Sequence, residues 1–251
     1  MSYSTYQLLN YCWMAIAAVV FISLFKVTAP YGRHTSTRWG VLVDNRLGWL
    51  FMEGPSVFVL LGLMLTNLSV QNVVTWVLAA FFIFHYINRS FIFPFRIRTK
   101  SKKMPALIMV FGMFFNLINA FLLGYYFAHF ARYDPHDLFG WRFIGGAVLF
   151  ILGVSINWDY DNRLIHLRKP GETGYKIPEG GLFNWVSCPN LLGEIIEWTG
   201  YAILCWNLPA ASFLVWTFAN LIPRAYSHHR WYKSHFSDYP AKRKAVIPFV
   251  F

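Results

Sequence analysis

The chain has 251 residues, of which 57% are apolar and 20% aromatic, while only 13% are charged. A soluble domain carries roughly 25% charged residues, so a cytosolic globule and a disordered chain are both poor fits. The net charge of +11 invites a nucleic-acid reading. The bases, however, lie in blocks between long apolar runs rather than along one soluble face, which points to a multi-pass membrane protein with the bilayer, not nucleic acid, as its partner.

A membrane-spanning helix needs about 20 mostly apolar residues. Taken in chain order, segments 7–27, 50–68, 72–95, 104–130, 141–159, 190–207 and 208–230 qualify, predicting an all-α protein with seven transmembrane helices. The N-terminus lacks the charged region and small-residue cleavage site of a signal peptide, so the first span is expected to be retained. Of the 22 Lys and Arg residues, all but Arg132 and Arg142 fall on one side of this arrangement. Because basic loops stay cytoplasmic, the N-terminus is predicted outside and the C-terminus in the cytoplasm. Cys12, Cys188 and Cys205 are widely spaced and odd in number, which supports neither a disulfide framework nor a zinc site.

Ionisable side chains inside spans are costly, usually face the bundle interior and are functional candidates. The second span carries Glu53 and the third carries His85, Tyr86 and Arg89. A buried Glu–Arg pair could serve packing alone. The functional alternative is an acid and a phenol able to polarise a carbonyl and deliver a proton. The fifth span ends in Asn157 and Asp161. The sixth bears Asn190, Glu194 and Glu197, and the last bears Arg224, His228 and Tyr232, each set at helical spacing. Three polar stripes on one membrane side predict a cavity open to the cytoplasm, suited to ribose, amide and phosphate groups. Between the fifth and sixth spans lies a Pro- and Gly-rich loop whose Arg168-Lys169-Pro170-Gly171 would suit a diphosphate. No GxGxxG follows a strand, so a dinucleotide would have to be held by helices and this loop.

These segments resemble the steroid 5α-reductase (3-oxo-5α-steroid 4-dehydrogenase) family, its type 2 branch most of all. The likeness is densest from Gly153 to Phe251, through LGVSINWDYDNRLIHLRKPGETGYKIPEGGLF, NLLGEIIEWTGYA, RAYSHHRWY and DYPAKRKAVIPFVF, and thinner through PYGRHT, WLFMEGPS and HYINRSF. The resemblance implies a single membrane reductase domain, with a substrate-site half over 1–130 and a cofactor-binding half over 131–251. It implies NADPH-dependent reduction of the Δ4 double bond of a 3-oxo-Δ4 steroid that enters from the membrane. By the same resemblance Glu53 and Tyr86 hold and polarise the 3-keto oxygen, and Trp49 lines the steroid site. Cofactor contacts carry over to Tyr31, Asn157, Asp161, Arg168, Tyr175, Asn190, Glu194, His228 and Tyr232, with Arg89 and Arg224 as neighbours. Lys176 stands where the type 2 branch has Arg, which keeps charge but loses the bidentate fork. Arg98 is the expected phosphate contact in the basic loop at 96–103, and Phe111 replaces an Arg of the type 2 branch. The expected membrane is the endoplasmic reticulum in a eukaryote or the inner membrane in a bacterium, with a monomer as the simplest unit. Two other readings stand beside this one: a membrane methyltransferase of the isoprenylcysteine type using S-adenosylmethionine, and a non-enzymatic sterol-binding bundle.

Overall fold

The computed structural model describes every residue except 71, 98–101, 170, 171 and 173, together with the backbone alone at Val70. The Arg98 contact and part of the Arg168–Gly171 turn lie outside the described residues. The described chain is predominantly helical. Helix α1 (Tyr3–Lys26) starts where the Ser2 hydroxyl accepts from the Thr5 N–H. Helices α2 (Asn45–Glu53) and α3 (Pro55–Leu65) form one rod with a joint at Gly54, because Pro55 has no N–H to continue the ladder. The rod begins at Asn45 rather than near 50: the Asp44 carboxylate accepts from the N–H groups of Arg46 and Leu47, which caps it early.

Helix α4 (Val73–Ile87) passes into a wide π-helical turn, Asn88–Ile92, and then a short α5 (Phe93–Arg96). Such turns insert an extra residue and often accompany functional sites. Here the turn carries Arg89. Helices α6 (Ala106–His129), α7 (Trp141–His166), α8 (Pro189–Cys205) and α9 (Leu208–His235) complete the bundle. One small antiparallel ribbon pairs β1 (Leu42–Asp44) with β2 (Lys103–Pro105), tying the loop after α1 to the start of α6.

Five helical stretches among the described residues are long and apolar enough to cross a membrane: Tyr3–Lys26, Asn45–Leu65, Val73–Arg96, Ala106–His129 and Trp141–His166. The two remaining long helices differ for physical reasons. Helix α8 spans 17 residues and is enclosed by protein, with Glu197, Trp198, Tyr201 and Leu204 all buried. Helix α9 is long, but its last three turns carry His228, His229, Arg230, Lys233 and His235. The core joins Leu60, Leu78, Phe82, Tyr86, Phe127, Phe150, Trp198 and Tyr201.

Helices α7 and α8 pack with their backbones in contact. A Cβ on Gly153 would overlap the backbone of Glu197, and one on Gly193 would overlap that of Asn157. This close approach places the polar residues of the two helices in one layer. At the far end of the chain, the C-terminal segment folds back on residues 185–188, where Ser187 N donates to Lys244 O and Cys188 N to Ala245 O.

Candidate functional site

The polar stripes and the membrane-buried acid line a single cavity of about 790 Å³, within the range of small-molecule and cofactor sites. Much of its wall is apolar. Trp13, Val20 and Leu24 come from α1, Ile108, Phe111 and Phe115 from α6, and Phe213 and Trp216 from α9. Three polar clusters interrupt this wall.

The first cluster joins α2, α4 and α6. Glu53 and Tyr86 both line the cavity but do not bond one another directly. Tyr86 donates its hydroxyl to Asn116 Oδ1 at 2.7 Å, and Asn116 Nδ2 donates to Glu53 Oε2 at 2.9 Å. One residue earlier on α4, His85 Nδ1 lies 2.6 Å from Glu197 Oε1, and both side chains are buried.

The second cluster centres on Arg89. Its guanidinium donates to Asp161 Oδ2 at 3.1 Å and to Glu194 Oε2 at 2.5 Å. The guanidinium packs against Phe93 at 4.8 Å and Trp49 at 5.6 Å, two rings that also meet each other edge-on. Asn190 Nδ2 donates to Asp161 Oδ1 at 2.9 Å, and Asn157, standing behind, donates to the Asn190 carbonyl at 2.9 Å. The π-helical turn of α4 thus presents one Arg to two carboxylates held by the α7–α8 contact.

The third cluster is cationic. Arg224 donates to the carbonyls of Ala29 and Tyr31 at 2.8 and 2.9 Å and lies 3.7 Å from the Tyr31 ring centre. Arg33 donates to the Tyr232 hydroxyl at 3.0 Å, packs on Trp231 at 4.6 Å and on Tyr175 at 5.3 Å, and leaves its buried Nη1 without a partner among the described residues. Lys102 and Arg168 also approach the Tyr175 ring, at 5.9 and 5.8 Å. Among the described residues no carboxylate pairs with Arg33, Lys102, Arg168 or Arg224. Burial and the neighbouring Arg168 and Arg33 push the Lys102 ammonium below its ordinary pKa. Mutually repelling cations around an aromatic rim, one with an orphaned buried N–H, are the surroundings an oligophosphate anion stabilises.

His34 stacks on His228 with 5.3 Å between ring centres. Burial first, then Arg224 and Arg33, lowers its pKa from an ordinary 6.5 to about 4. The unfolded chain therefore takes up a proton near pH 6.5 that the folded ligand-free protein refuses until about pH 4, so folding stability falls as pH drops through that window. We expect the thermal midpoint of the ligand-free protein in detergent, followed by tryptophan fluorescence, to decline between those pH values. His34→Gln should make that decline shallower; an unchanged slope in the variant would exclude His34 as a source of it.

Of the residues expected from sequence, Trp49, Glu53, Tyr86, Arg89, Asp161 and Asn190 line the cavity, as do Tyr31, Glu194, Arg224, His228 and Tyr232. Tyr175 stands at the rim against Trp231, their ring centres 4.7 Å apart. Arg168 is half-buried and donates to the Gly174 carbonyl at 3.0 Å. Lys176 is not brought to the cavity: it pairs with Glu172 at 2.6 Å on the surface. Both sequence halves contribute to the same clusters, since Tyr31, Arg33 and Arg89 meet residues of α7, α8 and α9. From sequence Arg33 counts only toward membrane orientation, and Asn116 is missing from the expected set altogether. The available signals were the Tyr-Gly-Arg-His string for the first and an amide inside an apolar span for the second.

Comparison with known proteins finds relatives over nearly the whole chain. The profile of the family described as 3-oxo-5-alpha-steroid 4-dehydrogenase matches residues 102–251. The chain is 38% identical over 256 residues to steroid 5-alpha-reductase DET2 of Gossypium hirsutum, covering 99% of both chains. It is 39% identical over 246 residues to 3-oxo-5-alpha-steroid 4-dehydrogenase 1 of Bos taurus, covering 96% of this chain and 95% of the relative. It is 40% identical over 240 residues to 3-oxo-5-alpha-steroid 4-dehydrogenase 2 of Sus scrofa, covering 94% of each.

Proposed function

This chain belongs to the steroid 5α-reductase family, and from that premise we propose that it reduces the Δ4 double bond of 3-oxo-Δ4 steroids to 5α-dihydrosteroids with NADPH. The observation that carries this reading is one cavity that holds an acid–amide–phenol chain, an apolar wall and an unneutralised cluster of cations.

A 3-oxo-Δ4 steroid is a conjugated enone. Hydrogen bonds to its carbonyl oxygen draw electron density through the double bond and leave carbon 5 electron-poor. Glu53 and Tyr86 are the groups that hold that oxygen. A carboxylate cannot donate a hydrogen bond, so Glu53 acts as a carboxylic acid or through Tyr86. The apolar side chains of α1, α6 and α9 enclose the rings and exclude water, which strengthens those hydrogen bonds. The proton that completes the reduction goes to carbon 4.

The residues of the other two clusters fit a phosphorylated dinucleotide. Arg33, Lys102, Arg168 and Arg224 would neutralise its phosphates, and Tyr175, Trp231 and Tyr232 offer faces for a planar base. Asn190, Asp161 and Glu194, ordered by Arg89, suit ribose hydroxyls and a carboxamide. When bound, reduced nicotinamide supplies the hydride equivalent that carbon 5 accepts.

The proposed topology has seven membrane helices, α8 and α9 included, with the N-terminus outside and the C-terminus in the cytoplasm. The chain forms one reductase domain, monomeric in the simplest case. It resides in the endoplasmic reticulum or, in a bacterial host, the inner membrane, and its steroid arrives through the lipid.

The purified protein incubated with NADPH and testosterone or progesterone should yield the 5α-dihydro product by mass spectrometry. Absence of turnover across several 3-oxo-Δ4 steroids would overturn the substrate reading. Thermal stabilisation by S-adenosylmethionine instead of NADPH would move the chain to the methyltransferase reading.

A further inference from the structure

Asn116 is 2% exposed in the middle of α6, a mostly apolar helix whose other buried amide is Asn119. Its amide makes three hydrogen bonds, two of which leave from Nδ2: one to Glu53 Oε2 at 2.9 Å, the other to the backbone carbonyl of Met52 at 2.8 Å. A backbone carbonyl can only accept. It therefore fixes which end of the amide faces α2, since the reversed amide would set two oxygens against each other. With Nδ2 committed to α2, Oδ1 must face Tyr86, and the phenol must donate to it, as it does at 2.7 Å. Gly112, one turn earlier on α6, makes this reach feasible, because a Cβ there would overlap the Met52 side chain.

The direction of every hydrogen bond in the chain is thereby set. Glu53 has one oxygen occupied by Asn116, while Oε1 has no hydrogen-bond partner among the described residues. The single hydroxyl proton of Tyr86 is directed at α6 rather than at the cavity. We infer that Asn116 is a positioning residue for the reduction. It clamps the Glu53 carboxyl and the Tyr86 phenol at a fixed separation through one rigid amide, and it holds the phenolic proton until a ligand carbonyl oxygen competes for it. The ketone meets Glu53 Oε1 first and draws the Tyr86 hydroxyl away from Asn116 Oδ1; when product leaves, the hydroxyl returns. This rests on the reading of Glu53 and Tyr86 as the carbonyl-holding pair.

The test uses the full-length protein in detergent with NADPH and a 3-oxo-Δ4 steroid. Asn116→Leu removes donor and acceptor at similar volume. Asn116→Asp keeps an acceptor for Tyr86 but turns an oxygen toward Met52 and Glu53. Each variant should lose about 10-fold or more in kcat, in the range of single general-acid or hydrogen-bond contributions, while KM for NADPH stays within about twofold. Because Asn116 acts through both Tyr86 and Glu53, Asn116→Leu added to Tyr86→Phe should cost less than Asn116→Leu costs in the parent, in single-turnover product formation. A folded variant that keeps its kcat overturns the inference, as does a loss that multiplies fully with that of Tyr86→Phe. If Tyr86→Phe and Glu53→Gln themselves retain normal rates, the underlying reading of the pair fails instead.

Discussion

Tyr86→Phe and Glu53→Gln are each expected to lower kcat for steroid reduction by about 10²-fold or more, the size of effect seen when one positioned proton donor or oxyanion contact is removed. Both substitutions preserve volume, so neither opens a cavity in the core around Phe82 and Trp198. Their costs also differ in kind. Phe at 86 leaves Asn116 Oδ1 without its donor, a buried acceptor unsatisfied, so some loss of stability accompanies the loss of rate. Gln at 53 still accepts from Asn116 Nδ2 through its own amide oxygen, and its amide nitrogen faces the ketone. It can donate a hydrogen bond there but is no acid. A Glu53→Gln protein that binds steroid normally yet turns over slowly would show that proton donation, rather than hydrogen bonding alone, is what Glu53 supplies. Steroid affinity by fluorescence quenching and kcat by product formation separate these outcomes. Near-normal rates in both variants would remove the acid–phenol pair from the mechanism.

The membrane character, the polar stripes and most of the charged side chains that line the cavity are legible from the chain because each is a local signal: charge in an apolar run, or polar residues three or four apart. What escapes is what a second helix contributes. Glu53 and Tyr86 stand out individually, but Asn116, which links them, is an uncharged residue in FFNLINAF and carries no mark of which way it faces. Arg33 is one base among many in a cytoplasmic-type loop. Its meaning comes from Tyr175, Trp231 and Tyr232, which are remote in sequence and meet it only after α9 closes on the loop following α1. Lys176 is matched to a phosphate contact by resemblance alone, and here it pairs at the surface with Glu172, four residues earlier. Hydropathy likewise marks α8 as apolar without distinguishing contact with lipid from contact with protein.

Arg89 is where the largest effect on stability is expected. It is the single cation between Asp161 and Glu194, and the three side chains are respectively 9%, 9% and 14% exposed. Arg89→Leu would fill much of the same volume, against Trp49 and Phe93, but would leave two facing carboxylates in a largely dehydrated layer. Removing one partner of a buried ion pair costs on the order of 3–5 kcal/mol, mainly from the charge left behind. The loss should therefore be repaired without restoring the Arg. Combining Arg89→Leu with Asp161→Asn and Glu194→Gln removes the stranded charge and should recover most of the thermal midpoint in detergent. Arg89→Lys should fall between, since it keeps the charge but cannot span both carboxylates with a planar fork. On the proposed function the repaired triple variant stays deficient in NADPH retention, because the groups meant to hold ribose and carboxamide have lost their charge and their anchor. If Arg89→Leu alone were as stable as the parent, the layer would be solvated enough to tolerate bare carboxylates, and its ordering role would fall. If the triple variant retained NADPH normally, the ion-paired layer would be a packing device for α4, α7 and α8, and the dinucleotide would have to be held by the cationic cluster and its aromatic rim alone.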